Sequence, residues 1–167
     1  MCPYKIIKRA GNSVISRSEA TRQSQLVTCN LQPFSTKEKI HVQMLNSTNN
    51  IKIATNFKLS EFACPCCMLV MLHPKLLAKL VEIRNIIERP VYITSGYRCP
   101  RYNQKIGGVP NSYHRIGLAA DIKVGDISLI ELLEVCENID FTGIGFYEKK
   151  RFLHLDVRPT KRTRWRE

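Results

Sequence analysis

The sequence predicts an α+β fold, in which helices alternate with short strands and the chain ends in a β-hairpin. Three observations support this prediction. Two segments carry apolar residues at helical spacing, four short segments are rich in β-branched and aromatic residues, and turn-forming residues separate them. With 167 residues, of which 44% are hydrophobic, the chain is long enough for one domain with its own core.

Residues 1–55 show little periodic hydrophobic pattern, and they contain a linker-like run of small polar residues at 46–50. We therefore expect residues 1–55 to form a poorly ordered N-terminal appendage. Residues 56–167 are expected to form the folded domain, which ends in a basic C-terminal tail.

The best helix is predicted over Pro74 to Glu88, where leucine, isoleucine and valine recur at a spacing of about 3.6 residues. Pro74 suits the first turn, and Pro90 stops the helix. A second amphipathic helix is predicted to run from a Ser128 cap to Asn138, and a short one over Pro100 to Ile106.

Four segments are predicted as strands from their content of β-branched and aromatic residues. The last two are separated by a short charged run, Glu148 to Arg151, which predicts a hairpin. The predicted strands are Val91 to Ser95, Leu118 to Val124, Phe141 to Tyr147 and Phe152 to Val157.

The chain has seven cysteines, of which Cys64, Cys66, Cys67 and Cys99 could belong together. In an oxidising compartment a disulfide could tie the start of the helix to the turn around Arg98. A closed structural zinc site is a second interpretation, although Cys-x-Cys is tighter than the usual Cys-x-x-Cys spacing. In a reducing compartment these residues would be free thiols. Cys136, in a helical pattern, is expected to be a small buried hydrophobe.

The net charge of +12 is concentrated in part near the C-terminus, where residues 149–167 hold eight basic and two acidic residues. This pattern is typical of a solvated surface, or of one that attracts a polyanion such as an anionic cell-wall polymer. Nucleic acid is not expected, because the chain has neither a glycine-rich phosphate loop nor aromatics interleaved with its basic residues. No apolar run is long enough for a transmembrane helix or a signal peptide, so no export route is visible.

Two histidines and two aspartates form the candidate site. His154 and Asp156 lie two apart on a predicted strand, so they share a face with side chains about 7 Å apart. His114 and Asp121 are separated by Gly117 and small residues, which suits one ligand on a loop and the next on the following strand. Two imidazoles with a carboxylate are the ligand set of a catalytic zinc, whose fourth position is left to water.

The order of several motifs resembles the zinc D-Ala-D-Ala carboxypeptidases of the M15 peptidase family. The resemblance covers residues 56–165 and implies an α+β fold shared with hedgehog-type signalling domains, with helices on a small, mostly antiparallel sheet. It also implies one catalytic Zn²⁺ held by His114, Asp121 and His154. The motifs are Ile93-Thr-Ser-Gly-Tyr-Arg98, then Asn103, Gly107-Gly-Val-Pro-Asn-Ser-Tyr-His114-Arg-Ile-Gly-Leu-Ala-Ala-Asp121, Gly143-Ile-Gly-Phe-Tyr147 and His154-Leu-Asp-Val-Arg158.

A carboxylate must act as general base beside the metal. Asp156 and Glu148 are equal candidates: Asp156 is close by pattern, whereas Glu148 would lie about 20 Å from His154 on one continuous strand unless the chain turns back. The family often places an acid three to six residues before the last histidine, and the three-residue position is Arg151 here.

Two further residues are predicted to contact the substrate. The resemblance gives Arg98 the role of clamping a substrate carboxylate or stabilising the oxyanion. Ser112 is predicted to position His114, to contact the substrate or to cap the loop.

The sequence therefore predicts a zinc metallocarboxypeptidase that cleaves D-Ala-containing peptidoglycan peptides and acts as a monomer. Its function places it in the cell envelope or outside the cell, and because no signal peptide is visible, a cytoplasmic location or phage-type release through a separate pore is also open. The pattern leaves endopeptidase and dipeptidase cleavage open. The alternative is a non-catalytic, zinc-stabilised module that binds the cell wall.

Overall fold

The computed structural model describes residues 40–43 and 51–167. Within these residues the chain forms three α-helices, two short 3₁₀ helices and nine strands. The α-helices are α1 (Pro74–Ile87), α2 (Pro100–Lys105) and α3 (Leu129–Asn138), and the 3₁₀ helices span Leu59–Phe62 and Tyr113–Ile116. The strands are β1 (Ile40–Gln43), β2 (Lys52–Ala54), β3 (Phe57–Lys58), β4 (Leu69–Leu72), β5 (Val91–Ser95), β6 (Ala119–Val124), β7 (Gly143–Tyr147), β8 (Phe152–Asp156) and β9 (Thr163–Arg166).

Five of these strands form the main sheet, in the order β5-β6-β8-β7-β9. All neighbours are antiparallel except β7 and β9, which are parallel. The predicted α+β fold with a small, mostly antiparallel sheet is therefore confirmed. Two small antiparallel pairs, β1 with β4 and β2 with β3, accompany the main sheet.

The helices begin where their capping residues are. The side chain of His73 accepts a hydrogen bond from the backbone of Lys75 at the start of α1, and Pro74 takes the first helical position. Ser128 and Glu131 form a reciprocal capping box at the start of α3. One apolar core joins the inner faces of α1 and α3 to the sheet, so both helices are held by burial as well as by their caps.

The predicted helices and the four predicted strands are all present, with ends that differ by at most two residues. The predicted appendage, residues 1–55, lies largely outside the described residues. Its segment Ile40–Gln43 is β1, which pairs with β4. The predicted basic tail contains β9, which extends the main sheet.

Strand β9 is attached by its arginines as well as by the sheet. The guanidinium of Arg164 binds the carboxylate of Glu137 on α3 and the carbonyl oxygen of Phe141. Arg162 reaches the same carboxylate at 2.7 Å. Part of the C-terminal positive charge is thus engaged in holding the edge strand. None of the helices in the described part of the chain has the length and apolar character that crossing a membrane requires.

Candidate metal centre

Three potential metal ligands converge at the centre of the main sheet. They are His114 in the second 3₁₀ helix, Asp121 on β6 and His154 on β8. Nε2 of His114 lies 3.1 Å from Oδ1 of Asp121 and 3.0 Å from Nδ1 of His154, which is 2.9 Å from the same Oδ1. His114 and Asp121 are buried, and His154 is largely so.

The backbone brings these residues together in two ways. Asp121 and His154 are directly opposite each other on the neighbouring strands β6 and β8, so their side chains share one face. Gly117 ends the 3₁₀ helix with φ of 71°, and a Cβ there would lie 2.6 Å from the backbone of Met71. A glycine is therefore needed for the turn that returns His114 onto Asp121.

The outer ring nitrogens determine which imidazole atom faces the centre. Nδ1 of His114 lies 2.7 Å from the carbonyl oxygen of Gly96, to which it can only donate, so Nε2 carries the free lone pair. Nε2 of His154 lies 3.3 Å from the Asp156 carboxylate and donates to it, so Nδ1 faces inward as an acceptor. Such outer partners are typical of metal-binding histidines.

The three inward atoms fit a zinc ion. Two imidazole lone pairs and a carboxylate oxygen within 3.1 Å of each other repel unless a cation lies between them. Ligands about 2.0–2.1 Å from a tetrahedral zinc are about 3.3 Å apart, close to the separations observed. Burial raises the pKa of Asp121, but hydrogen bonds from His114 and His154 outweigh it and hold that pKa well below its usual range.

The Asp156 carboxylate is fully buried and has four nitrogen donors around it. Arg158 binds it through Nε at 2.8 Å, through Nη2 and through its backbone N–H at 3.1 Å, and His154 approaches from the other side. Burial raises the pKa of Asp156, but the hydrogen bonds from Arg158 and His154 prevail and lower it to about 2. A Cβ on Gly143, its antiparallel neighbour, would lie 2.2 Å from Oδ2 of Asp156, so glycine leaves the room for this carboxylate.

A cavity of about 750 Å³ opens beside the three ligands. The ring of Trp165, on β9, lies 5.2 Å from that of His154, and a Cβ on Gly145 would lie 2.4 Å from the indole. The guanidinium of Arg158 lies over the rings of Tyr113 and Trp165, at 4.7 and 5.4 Å. The cavity therefore has an aromatic wall built partly by the C-terminal strand.

The other predicted site residues lie in different places. Arg98 lines the cavity, but its guanidinium binds Oδ2 of Asp121 and, at 2.7 Å, the hydroxyl of Ser95. Ser112 lines the cavity and directly precedes the second 3₁₀ helix. Its side chain makes no capping hydrogen bond at the N-terminus of that helix. Glu148 is exposed in the β7–β8 turn and does not line the cavity.

The hairpin brings Glu148 closer to the ligands than a continuous strand would. His154 is opposite Gly145, three residues before Glu148, which is about 10 Å along the sheet. Sequence reasoning missed Trp165 and Glu167, which both line the cavity. The alternation of Arg164, Trp165 and Arg166 is a strand signal that could have indicated them.

Comparison with known proteins agrees with this geometry. The family model described as Peptidase M15 matches residues 34–156. The chain is 27% identical over 97 residues to the peptidoglycan L,D-endopeptidase MepK of Escherichia coli K12, covering 54% of this chain and 53% of that protein. A probable MepK of Haemophilus influenzae is 28% identical over 98 residues, with the same coverage.

A third relative is the zinc D-Ala-D-Ala carboxypeptidase of Streptomyces albus G, 33% identical over 67 residues, which are 40% of this chain and 26% of that protein. The chain spans about half the length of the MepK proteins it matches. M15 peptidases are zinc enzymes, and the inward-facing nitrogen and oxygen atoms described above are suitable zinc ligands. With a family match over most of its length and this ligand set at the centre of the sheet, the chain belongs to the M15 peptidase family.

Proposed function

We propose that this chain is a zinc-dependent peptidase that hydrolyses D-Ala-containing peptides of peptidoglycan. The observation that carries the proposal is the convergence of Nε2 of His114, Oδ1 of Asp121 and Nδ1 of His154 beside an open cavity. Zinc bound there would supply a nucleophile near neutral pH and polarise the scissile carbonyl. The named relatives act on peptidoglycan or on D-Ala-D-Ala peptides, which supports the substrate class.

The residues around the ligands hold the site in shape. Arg98 fixes Oδ2 of Asp121, so that Oδ1 faces the two imidazoles. Asp156 holds the ring of His154 in the tautomer that binds metal, and Arg158 holds Asp156. In this proposal Asp156 is a positioning residue, because its carboxylate is buried, engaged and of low pKa, which makes it a poor proton acceptor near neutral pH.

Proton transfer is assigned to a carboxylate at the border of the cavity. Glu167 lines the cavity and directly follows β9, two residues after Trp165, which lines the same cavity. Glu148 adjoins it, since its backbone N–H donates to the carbonyl oxygen of Glu167 at 3.3 Å. The variants Glu167→Gln and Glu148→Gln separate the two: the general base is the residue whose loss lowers kcat at saturating zinc.

The cavity offers two lysines to an acidic substrate. Arg98 and Arg158 are already paired with aspartates, whereas Lys123 and Lys150 line the cavity and have no carboxylate within salt-bridge distance among the described residues. A stem peptide has carboxylates at its D-Ala end and on its acidic side chains, so these lysines suit its recognition. Arg166 on β9, which has no ion-pair partner among the described residues, would add attraction to anionic wall polymers, and the proposed site of action is the cell envelope.

The alternative is a zinc-stabilised module that binds the cell wall without cleaving it. One observation favours it: neither of the two predicted bases, Asp156 and Glu148, has a free carboxylate in the cavity. Such a module would keep its zinc and its affinity for peptidoglycan but would release no product.

The test is to incubate the zinc-loaded chain with peptides that end in D-Ala-D-Ala and with crosslinked muropeptides, and to identify products by mass spectrometry. We expect hydrolysis that a chelator stops and zinc restores. Release of terminal D-Ala would identify a carboxypeptidase, and cleavage within the muropeptides an endopeptidase. Asp121→Asn should lose activity, whereas the matched variant Asp126→Asn, at an exposed carboxylate, should keep it. Binding to peptidoglycan without any product would replace the proposal with the non-catalytic module.

A further inference from the structure

Four cysteines meet at a second place, away from the three ligands described above. The Sγ atoms of Cys64, Cys67 and Cys99 all lie within 4.8 Å of each other. Cys66 Sγ is 3.8 Å from Cys99 Sγ, which is about the separation of two thiolates bound to one tetrahedral zinc with Zn–S bonds of about 2.3 Å. All four are free thiols in the structure, so the disulfide interpretation of the sequence is not what the structure shows.

The spacing that matters is Cys64 to Cys67, which is Cys-x-x-Cys, the usual knuckle of a structural zinc site. The tighter Cys-x-Cys spacing of Cys64 and Cys66 does not describe this knuckle, whose second ligand is Cys67. The turn is closed by Met68 N–H to Cys64 O at 2.8 Å and by Cys64 N–H to Leu69 O at 2.9 Å. Cys99 is brought in from just before α2, 32 residues further along the chain.

The surroundings suit bound thiolates. The backbone N–H of Cys99 points at Cys64 Sγ at 3.4 Å, and that of Tyr102 points at Cys99 Sγ at 3.4 Å. Burial raises the pKa of the Cys64 thiol, but hydrogen bonds from the backbone of Cys99, Cys66 and Cys67 prevail and lower it. The backbone hydrogen bond from Tyr102 lowers the pKa of Cys99, but burial and the three neighbouring thiols outweigh it and raise that pKa to about 11, so several thiolates can coexist here only beside a cation. Arg101 places Nη2 3.1 Å from Cys66 Sγ, where its positive charge offsets the negative charge of a tetrathiolate site.

Four sulfur ligands would fill the coordination shell of the ion. Cys64 is fully buried and Cys99 is 9% exposed, and with Tyr97 they form a small core against which the partly exposed Cys66 and Cys67 pack. A tetrahedral zinc with four protein ligands has no open position for water, so the site is structural rather than catalytic.

We propose that Cys64, Cys67 and Cys99, with Cys66 as the fourth ligand, bind a second zinc ion, which is structural. This ion would join the loop before β4 to the segment before α2. Without the ion, these two segments are held together by the small separate core described above. The proposal does not depend on the peptidase activity, because it rests only on the sulfur geometry.

The first test measures the metal content of the full chain, purified under reducing conditions and without chelators. We expect about two zinc ions per chain, of which one is released by a thiol-specific mercurial reagent. Replacement by Co²⁺ should give an intense thiolate-to-cobalt charge-transfer absorption. A single zinc per chain, with all four thiols reacting freely in the folded protein, would overturn the proposal. So would a mass for the non-reduced protein that is lighter by two hydrogen atoms, since it shows a disulfide.

Variants assign each ion to its site. Cys67→Ser, at a partly exposed position, should leave one zinc and abolish the thiolate absorption. His114→Ala should also leave one zinc but keep the absorption. The matched control is Cys136→Ala, because Cys136 is a buried free thiol on α3 outside the cluster and should leave both ions in place. If Cys67→Ser does not fold, the metal content and mercurial release of the unaltered chain still decide the question.

Discussion

Asp156→Asn separates the two roles that the buried carboxylate beside His154 could have, orienting the imidazole or accepting a proton. We expect weaker zinc binding with largely retained chemistry, because Asp156 holds Nε2 of His154 at 3.3 Å and is itself fully buried. Loss of such an outer partner typically lowers metal affinity about 10–100-fold. This corresponds to about 1.4–2.7 kcal/mol of binding free energy.

The same substitution should destabilise the zinc-free protein. Arg158 is left without its charge partner, and breaking a buried pair costs about 3–5 kcal/mol. We expect the lower end, about 3 kcal/mol, because Arg158 is 15% exposed and keeps its contacts with Tyr113 and Trp165. Urea unfolding in the presence of a chelator measures this difference.

The assay for the role of Asp156 is competition for zinc with a chromogenic chelator, followed by turnover at increasing zinc. Excess zinc should restore most of the activity of Asp156→Asn. Unchanged zinc affinity together with a kcat that stays low at saturating zinc would refute the positioning role and make Asp156 the general base. Asp126→Asn is the control, because its carboxylate is 77% exposed and lies on the surface beside Arg89.

Three further predictions concern the edge strand and the cavity. Gly145→Ala should displace Trp165, because the new methyl group would lie 2.4 Å from the indole. We expect the free energy of unfolding to fall by about 1–3 kcal/mol. Urea unfolding measures this fall, and the fluorescence of the single tryptophan reports the displacement. Hydrogen bonds from Arg164 are the main cause that lowers the pKa of Glu137. The ionised carboxylate therefore stabilises the folded chain above the unfolded pKa of about 4.3, and this stabilisation is lost as the pH falls through the lowered folded-state pKa. Thermal unfolding at acidic pH should therefore show a smaller fall for Glu137→Gln than for the unaltered chain. Lys123→Gln should raise KM for substrates with a free carboxylate and leave kcat unchanged, as steady-state kinetics on paired acid and amide peptides would show.

Local signals in the sequence predicted the elements that local interactions specify. The helix beginning at Pro74 and the helix capped by Ser128 carry both an apolar period and their own caps, so they could be located within a residue. Strand β4 was missed, because its partner β1 lies about thirty residues earlier and pairing at that distance leaves no local pattern. Strand β9 was missed because a basic C-terminal segment is typical of a solvated tail, and the sequence does not show that Arg164 pairs with Glu137 on α3.

The candidate site likewise combines residues that local sequence patterns indicate with contacts that depend on how distant segments pack. The residue pattern grouped two histidines and two aspartates into one candidate site, and the resemblance to the M15 family implied that His114, Asp121 and His154 bind the metal. The engagement of Asp156 by Arg158 could not be predicted, because it depends on the turn after β8 and on the space that Gly143 leaves. The need for glycine at positions 143 and 145 can therefore be recognised only after the strands are paired, because it depends on the space required by Asp156 and Trp165.

The proposed thiolate site and the peptidase site share one short backbone segment. Gly96 accepts the hydrogen bond that fixes the ring of His114, Arg98 binds Asp121, and Cys99 is a proposed ligand of the second ion. Anything that orders this segment therefore orders His114 and Asp121, two of the three proposed ligands of the first zinc. The two metal sites should be coupled, and coupling between binding sites is reciprocal.

Loss of the thiolate site should consequently lower the affinity for zinc at the His114 site, although none of the proposed ligands there is changed. We expect Cys67→Ser to lower zinc affinity at the His114 site by about tenfold, the effect of disturbing an outer partner of a ligand. Reciprocity requires that His114→Ala lower the affinity of the thiolate site by a similar factor when both are measured by chelator competition. Equal affinities in variant and unaltered chains would show that the segment from Gly96 to Cys99 is already rigid, because its backbone bonds to Phe62 and His114 are sufficient to hold it.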